Sequence, residues 1–186
     1  HLFTYRQLLT LTTLTSLIES DRKKIDLKDK DFERAILTCL AFIIDKIADK
    51  NSSLCRWKPN AEYMAGNTFG RQALPIVWDF CEANPIGRAT GDIGAEAEWI
   101  EKVLLHLNNS KLSQGHVEIV SATKSPLPDD IVQVFFTDPP YYDSVPYADL
   151  SDFFYCWLKR SIGIDYPELF QDSLSPKLPE IVQLSE

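Results

Sequence analysis

Four residues, Asp138-Pro139-Pro140-Tyr141, follow the apolar run Ile131-Val132-Gln133-Val134-Phe135-Phe136-Thr137 and carry the clearest chemistry in the chain. The exocyclic amine of a planar base such as adenine has two N–H donors and a lone pair delocalised into the ring. It is a poor nucleophile until that lone pair is localised. Asp138 can accept one N–H and the Pro139 carbonyl the other, which favours a tetrahedral nitrogen aimed at an electrophilic methyl group. Pro139 and Pro140 have no N–H to satisfy those acceptors locally, and their fixed φ holds the carbonyl in place. Tyr141 adds a flat face on which an extruded base can stack. The plain alternative is a strand ending in a Pro-Pro turn, with Asp138 as a cap and Tyr141 as packing. Just downstream, Tyr142, Asp143 and Tyr147 are candidates to line a base pocket. Equally, Asp149 and Asp152 can begin a helix, where carboxylates suit the dipole, with Tyr147 packing as a staple.

The elements that must position this loop follow from periodicity. The run 131–137 is β-branched and aromatic throughout, as expected of a strand covered on both faces of a parallel sheet. A shorter strand is expected from His116. Helices are expected over 5–19, with Leu8, Leu9, Leu11, Leu14, Leu17 and Ile18 on one face, and from Asp31 as cap to about residue 51. Two more are expected over 71–83, with Pro75 in the first turn, and over 95–108, with Ala95, Trp99, Val103 and Leu107 on one side. A last helix, 147–161, should turn Leu150, Phe153, Phe154, Trp157 and Leu158 inward and stop at Gly163. Residues 54–70 read as a long connection pinned by Trp57 and Tyr63. This gives an α/β fold in two parts: a mainly helical region, 1–112, and a strand, strand, loop and helix part, 113–186.

Composition narrows the function. The chain has 186 residues, a net charge of −8 and a hydrophobic share of 45%, which suits a packed core and argues against a module that grips nucleic acid through phosphates alone. A catalytic pocket for one extruded base is compatible with that charge. Arg22-Lys23-Lys24 and Lys159-Arg160 read first as solvated helix ends. Arg56, Trp57, Arg71 and Gln72 could touch nucleic acid, but a loop tied to the helices explains them more simply. The cysteines at 39, 55, 81 and 156 lack metal-site spacing, and no metal is expected. The Thr-interrupted stretch 8–18 is neither a signal peptide nor a membrane span, so a cytoplasmic protein without membrane association is expected. A chain running from His1 to Glu186 reads as an internal piece of a larger protein.

Asp138-Pro139-Pro140-Tyr141 resembles the motif of amino-methylating, S-adenosylmethionine-dependent DNA methyltransferases. The longer block from Thr137 to Tyr155, followed by Trp157-Leu158-Lys159-Arg160, resembles the large prokaryotic adenine-specific DNA methylases that contain a zinc ribbon. Arg6-Gln7-Leu8-Leu9, Asn51-Ser52-Ser53-Leu54-Cys55-Arg56-Trp57 and Thr68-Phe69-Gly70-Arg71-Gln72-Ala73-Leu74-Pro75 extend the likeness over residues 1 to 163. The resemblance implies a Rossmann-like sheet, S-adenosylmethionine as methyl donor, and DNA as substrate in modification or defence against foreign DNA. It also implies Asp138, Pro139 and Tyr141 as the residues holding the amine. With only seven Gly and no Gly-x-Gly, the cofactor loop of the family has no counterpart, and the zinc-ribbon cysteines are missing too. Both are expected in the remainder of the parent methylase. The loop chemistry leaves cytosine, RNA adenine or a protein glutamine amide open as targets. A binding or scaffold module that no longer uses the loop is the alternative of another class.

Overall fold

Four helices organise the chain: α1 (Tyr5–Arg22), α2 (Lys30–Lys50), α3 (Ile93–Asn109) and α4 (Tyr147–Ile162). The structure, a computed structural model, describes residues 1–25, 27–58, 64–120, 124–139, 141 and 144–177. Two short strands, β1 (Trp57–Lys58) and β2 (Met64–Ala65), pair antiparallel with Trp57 opposite Ala65, and they are the whole sheet among the described residues.

α1 begins at a capping box. The Thr4 hydroxyl accepts the Gln7 N–H, and Gln7 Oε1 accepts the Thr4 N–H at 2.8 Å. Three of its threonines donate to carbonyls four residues back, Thr10 to Arg6, Thr12 to Leu8 and Thr15 to Leu11, which satisfies their hydroxyls within the helix. Thr4 also donates to Glu82 Oε1 at 2.5 Å, and with Arg6 it holds that carboxyl below its ordinary range. Thr4→Ala therefore removes the helix cap and a tertiary tie at one stroke. It should lower stability by about 1–2 kcal/mol in chemical denaturation. A loss indistinguishable from zero would show that the cap is dispensable.

α2 is the spine of the molecule, packed against α1, α3 and α4, and α4 also meets α1. Its cap is Asp29, which accepts the N–H groups of Asp31 and Phe32, two residues before the cap expected from sequence. Leu37, Ala41, Ile44, Ile47 and Ala48 of α2 join Leu11 and Ile18 of α1 and Phe153, Trp157 and Ile162 of α4 in one core. Phe3 and Phe69 enter it as rings on α4: Phe69 lies 5.1 Å from Phe153, edge to face, and Phe3 lies 5.6 Å from Trp157. Gly163 does end α4. Its φ is −59°, however, so it is not there to turn left-handed; a Cβ would sit 2.3 Å from the Lys159 carbonyl.

The expected α/β fold is not what the chain forms. Residues 131–137 and 116–120 are not strands, and no Rossmann-like sheet is present among the described residues. An extended segment needs a neighbour for its N–H and C=O groups, and neither run has one among the described residues. Phe135 and Phe136 are 82% and 92% exposed, so the apolar character that suggested two covered faces has no cover in the structure. Residues 71–83 are not helical either. Pro75 removes a donor and disfavours helical geometry at Leu74, and Phe80 instead bridges Arg56 in an isolated antiparallel contact.

Helix faces also differ from the expected ones. In α1 the buried stripe is Gln7, Leu11, Thr15 and Ile18, while Leu9 and Leu17 face outward. In α3 the inward residue is Glu96, whose carboxylate pairs with Lys50 of α2, and Trp99, Val103 and Leu107 are exposed. An ion pair at its first turns, not an apolar stripe, fastens α3 to the spine.

Candidate functional site

Among the described residues, the regular element that adjoins the loop is α4, on its downstream side. That helix is anchored in the core by Phe153 and Trp157, and its first turn carries Tyr147 and Asp149 after a Pro146 cap that makes no side-chain hydrogen bond. Leu150 N–H donates to the Pro146 carbonyl and Tyr147 N–H to that of Val145, so the turn entering the helix is closed by backbone bonds.

Upstream of that turn, Asp138 and Pro139 are exposed in an irregular segment. Tyr141 is 65% exposed, and Tyr147 is half-exposed at the start of α4. Pro140, Tyr142 and Asp143 lie outside the described residues. Among the described residues no hydrogen bond or ion pair engages Asp138, and no ring contact joins Tyr141 to Tyr147. The Asp138 carboxylate is therefore uncommitted, and the aromatic faces are open to solvent.

Asp152 and Lys177 meet on α4, a pairing that sequence reasoning did not find. Asp152 accepts from Ser175 N at 2.8 Å, from Ser175 Oγ at 2.5 Å and from Lys177 Nζ at 2.7 Å. Burial pushes its carboxyl up, but the hydrogen bonds from Lys177 and Ser175 prevail and hold it below the usual carboxylate range. The same Ser175 hydroxyl lies 2.9 Å from the Ala148 carbonyl, and Tyr155 donates to the Asp172 carbonyl, so residues 172–177 are strapped across the first turns of α4. Asp149, by contrast, lies 3.8 Å from Lys177 and is largely exposed, as a carboxylate in a helix first turn can be.

The basic residues are also engaged. Arg22 reaches across the fold to the Asp165 carboxylate and donates to the Ser161 carbonyl, so it is a tertiary tie rather than a solvated end. Lys159 donates to the Gln171 and Asp172 carbonyls, and Arg160 to that of Cys156. Arg56 packs against Gly70: a Cβ there would come within 2.7 Å of its guanidinium. Trp57 is half-exposed on β1, and Arg71 and Gln72 are exposed. Sequence spacing carries no signal for the Arg22–Asp165 pair, whose members are 143 residues apart.

Among the described residues no group of three His, Cys, Asp or Glu is placed to hold a metal ion, and no helix is long and apolar enough to cross a membrane. The residues present do not fit S-adenosylmethionine: the sequence has no Gly-x-Gly loop, and among the described residues Asp138 and Tyr141 stand on open surface with no cradle beside them. Compared with known proteins, the chain matches no family model, no curated protein and no solved structure.

Proposed function

We propose that this chain supplies the target-amine loop of an adenine-specific DNA methyltransferase whose methyl donor, S-adenosylmethionine, is held by the remainder of the parent methylase. The observation that carries the reading is Asp138-Pro139-Pro140-Tyr141 set just before a core-anchored helix, with the Asp138 carboxylate exposed and uncommitted. Asp138 and the Pro139 carbonyl accept the two amine N–H groups and draw the nitrogen lone pair out of the ring. Tyr141 stacks on the extruded base, and Tyr142, Asp143 and Tyr147 border it. Nothing in this role needs the sheet that the chain does not form. The residues act on the amine, and the donor's methyl group is delivered from elsewhere.

The test is methyl transfer from labelled S-adenosylmethionine to unmethylated DNA by the protein carrying this chain, beside the same protein with Asp138→Ala. Label in adenine that falls by about two orders of magnitude with the substitution is the expected result. Transfer that persists in Asp138→Ala, or none over a range of DNA substrates, would overturn it. One observation favours a second reading, a partner-binding module: Trp99, Val103, Leu104 and Leu107 on α3, with Phe135 and Phe136, leave much apolar surface exposed. That reading expects no transfer and no effect of Asp138→Ala.

A further inference from the structure

Two cysteines that are distant in sequence are brought opposite one another by the contact between Arg56 and Phe80. That contact is antiparallel, so the residue before Arg56 faces the residue after Phe80, and these are Cys55 and Cys81, both free thiols. Residues opposed in an antiparallel pair have Cα atoms about 4.5–5.5 Å apart, inside the span of roughly 4.4–6.8 Å that a disulfide bridges. The two segments stay together beyond the cysteines, because the Ala83 N–H donates to Asn51 Oδ1 at 3.1 Å. The pair is thus bracketed by a backbone contact on one side and a side-chain hydrogen bond on the other. The thiols also sense each other: burial first, and then the neighbouring Cys55 sulfur, hold the Cys81 thiol above its ordinary range.

The surroundings permit the two sulfurs to join. Cys55 is fully buried and donates its thiol proton to the Asp49 carbonyl at 3.3 Å. Losing that proton orphans nothing, since the same carbonyl already accepts the Thr68 N–H at 2.6 Å and the Thr68 hydroxyl at 2.7 Å. Cys81 is half-buried, so it is the member of the pair that a small reagent reaches first.

We propose that Cys55 and Cys81 are a redox pair that closes to a disulfide, with a low-molecular-weight disulfide, oxidised glutathione, as the oxidant. The Cys81 thiolate attacks one sulfur of glutathione disulfide and releases one glutathione. The Cys55 sulfur then attacks the Cys81 sulfur of the mixed disulfide and releases the second. Two thiol protons of the protein end on two glutathione molecules, the protein loses two electrons, and the glutathione disulfide gains them. A buried thiol with a raised pKa is a slow nucleophile, so closure takes minutes to hours. The bond ties residues 80–83 to the end of α2. Glu82, next to Cys81, accepts from Thr4 and Arg6, so the oxidised form also fastens the start of α1 to the spine helix. This inference goes beyond the methyl-transfer reading and does not rest on it.

The test incubates the folded chain with oxidised glutathione, blocks the remaining thiols by alkylation, and maps the linkage by mass spectrometry of an unreduced tryptic digest. Cleavage after Lys50, Arg56, Arg71 and Arg88 puts Cys55 in peptide 51–56 and Cys81 in peptide 72–88. The expected product is those two peptides joined, two hydrogens lighter than their sum. The oxidised protein should melt higher by roughly 5–15 °C, and dithiothreitol should reverse the shift. Cys81→Ser, at a half-buried side chain, should fold and lose both the linkage and the shift. A Cys39→Ser, Cys156→Ser double variant should keep both. A different cysteine pair as the main product, a reaction that stops at glutathione on Cys81, or no reaction in the folded state would each overturn the proposal. So would a linked protein that melts no higher than the reduced one, or a shift that persists in Cys81→Ser. Asp138→Ala should close the same bond, so this inference and the loop reading fail separately.

Discussion

Replacing Asp45 by asparagine should flatten the stability of the protein between about pH 4 and pH 8. Asp45 lies in the middle of α2, and its Oδ1 is buried with no hydrogen-bond partner among the described residues. Burial pushes its pKa from 3.8 up to about 8. The folded protein therefore keeps a proton on Asp45 through a range of pH in which the unfolded chain has already lost it. Stability contributed by the group is complete below the unfolded pKa and falls as pH rises, by ~1.4 kcal/mol per pH unit, until the folded group ionises near pH 8. The sign is opposite to that of an ion-paired aspartate, and the whole window amounts to several kcal/mol. Asp45→Asn carries no proton to lose, so its denaturation midpoint should stay level where the wild type declines, and the two curves should diverge most at the alkaline end. Cys156 on α4, whose thiol is itself raised by burial, feels the Asp45 charge and should become more acidic in the variant. Parallel wild-type and Asp45→Asn profiles would show that Asp45 is ionised in the folded protein.

Trp157→Ala should cost about 3–5 kcal/mol, because it empties a large volume at the junction of α4 with Phe3 and the spine helix. The indole N–H is buried without a partner among the described residues, so it contributes nothing to offset its own desolvation. Trp157→Phe keeps most of the ring contact and removes that orphan donor, and should cost less than about 1.5 kcal/mol. Urea denaturation of the two variants beside the wild type measures both. If Phe were as destabilising as Ala, the indole N–H would have to be satisfied in solution, by a water for instance. Because α4 holds the loop from its downstream side, Trp157→Ala should also impair any activity that depends on Asp138, whereas Trp157→Phe should spare it.

Much of the helical architecture was legible from local pattern. The helices over residues 5–22, 30–50, 93–109 and 147–162 all lie where apolar period and cap chemistry place them, to within a few residues. Their ends follow from short-range hydrogen bonding. Thr4, Asp29 and Asp92 each accept N–H groups from the first turn of the helix they precede, and such bonds depend on neighbours in sequence. Asp92 shows the strength of that local chemistry: N–H groups from Arg88 and Ala95 hold its carboxyl below the ordinary range.

Partner choice was not legible. The run 131–137 states by composition that it suits burial on two faces, and it cannot state whether a neighbouring strand exists to pair with it. The stripe Trp99, Val103 and Leu107 likewise marks an apolar face, yet α3 is fastened through Glu96 and Lys50, because a buried carboxylate needs its cation more strictly than an apolar face needs cover. Pro75 allowed a helix start on paper, while the fold uses the same stretch to bring Glu82 to Thr4 and Arg6.

The sequence by itself placed the helices at 5–22, 30–50, 93–109 and 147–162 to within a few residues, since caps and apolar period depend on groups close together along the chain; it did not reveal that 71–83 is not helical. Only the tertiary structure decided that, among the described residues, the runs 116–120 and 131–137 stay unpaired, that Arg22 meets Asp165, and that Asp152 gathers Ser175 and Lys177. Those outcomes depend on which distant groups arrive in contact, and the competition among possible partners is settled by packing around α2.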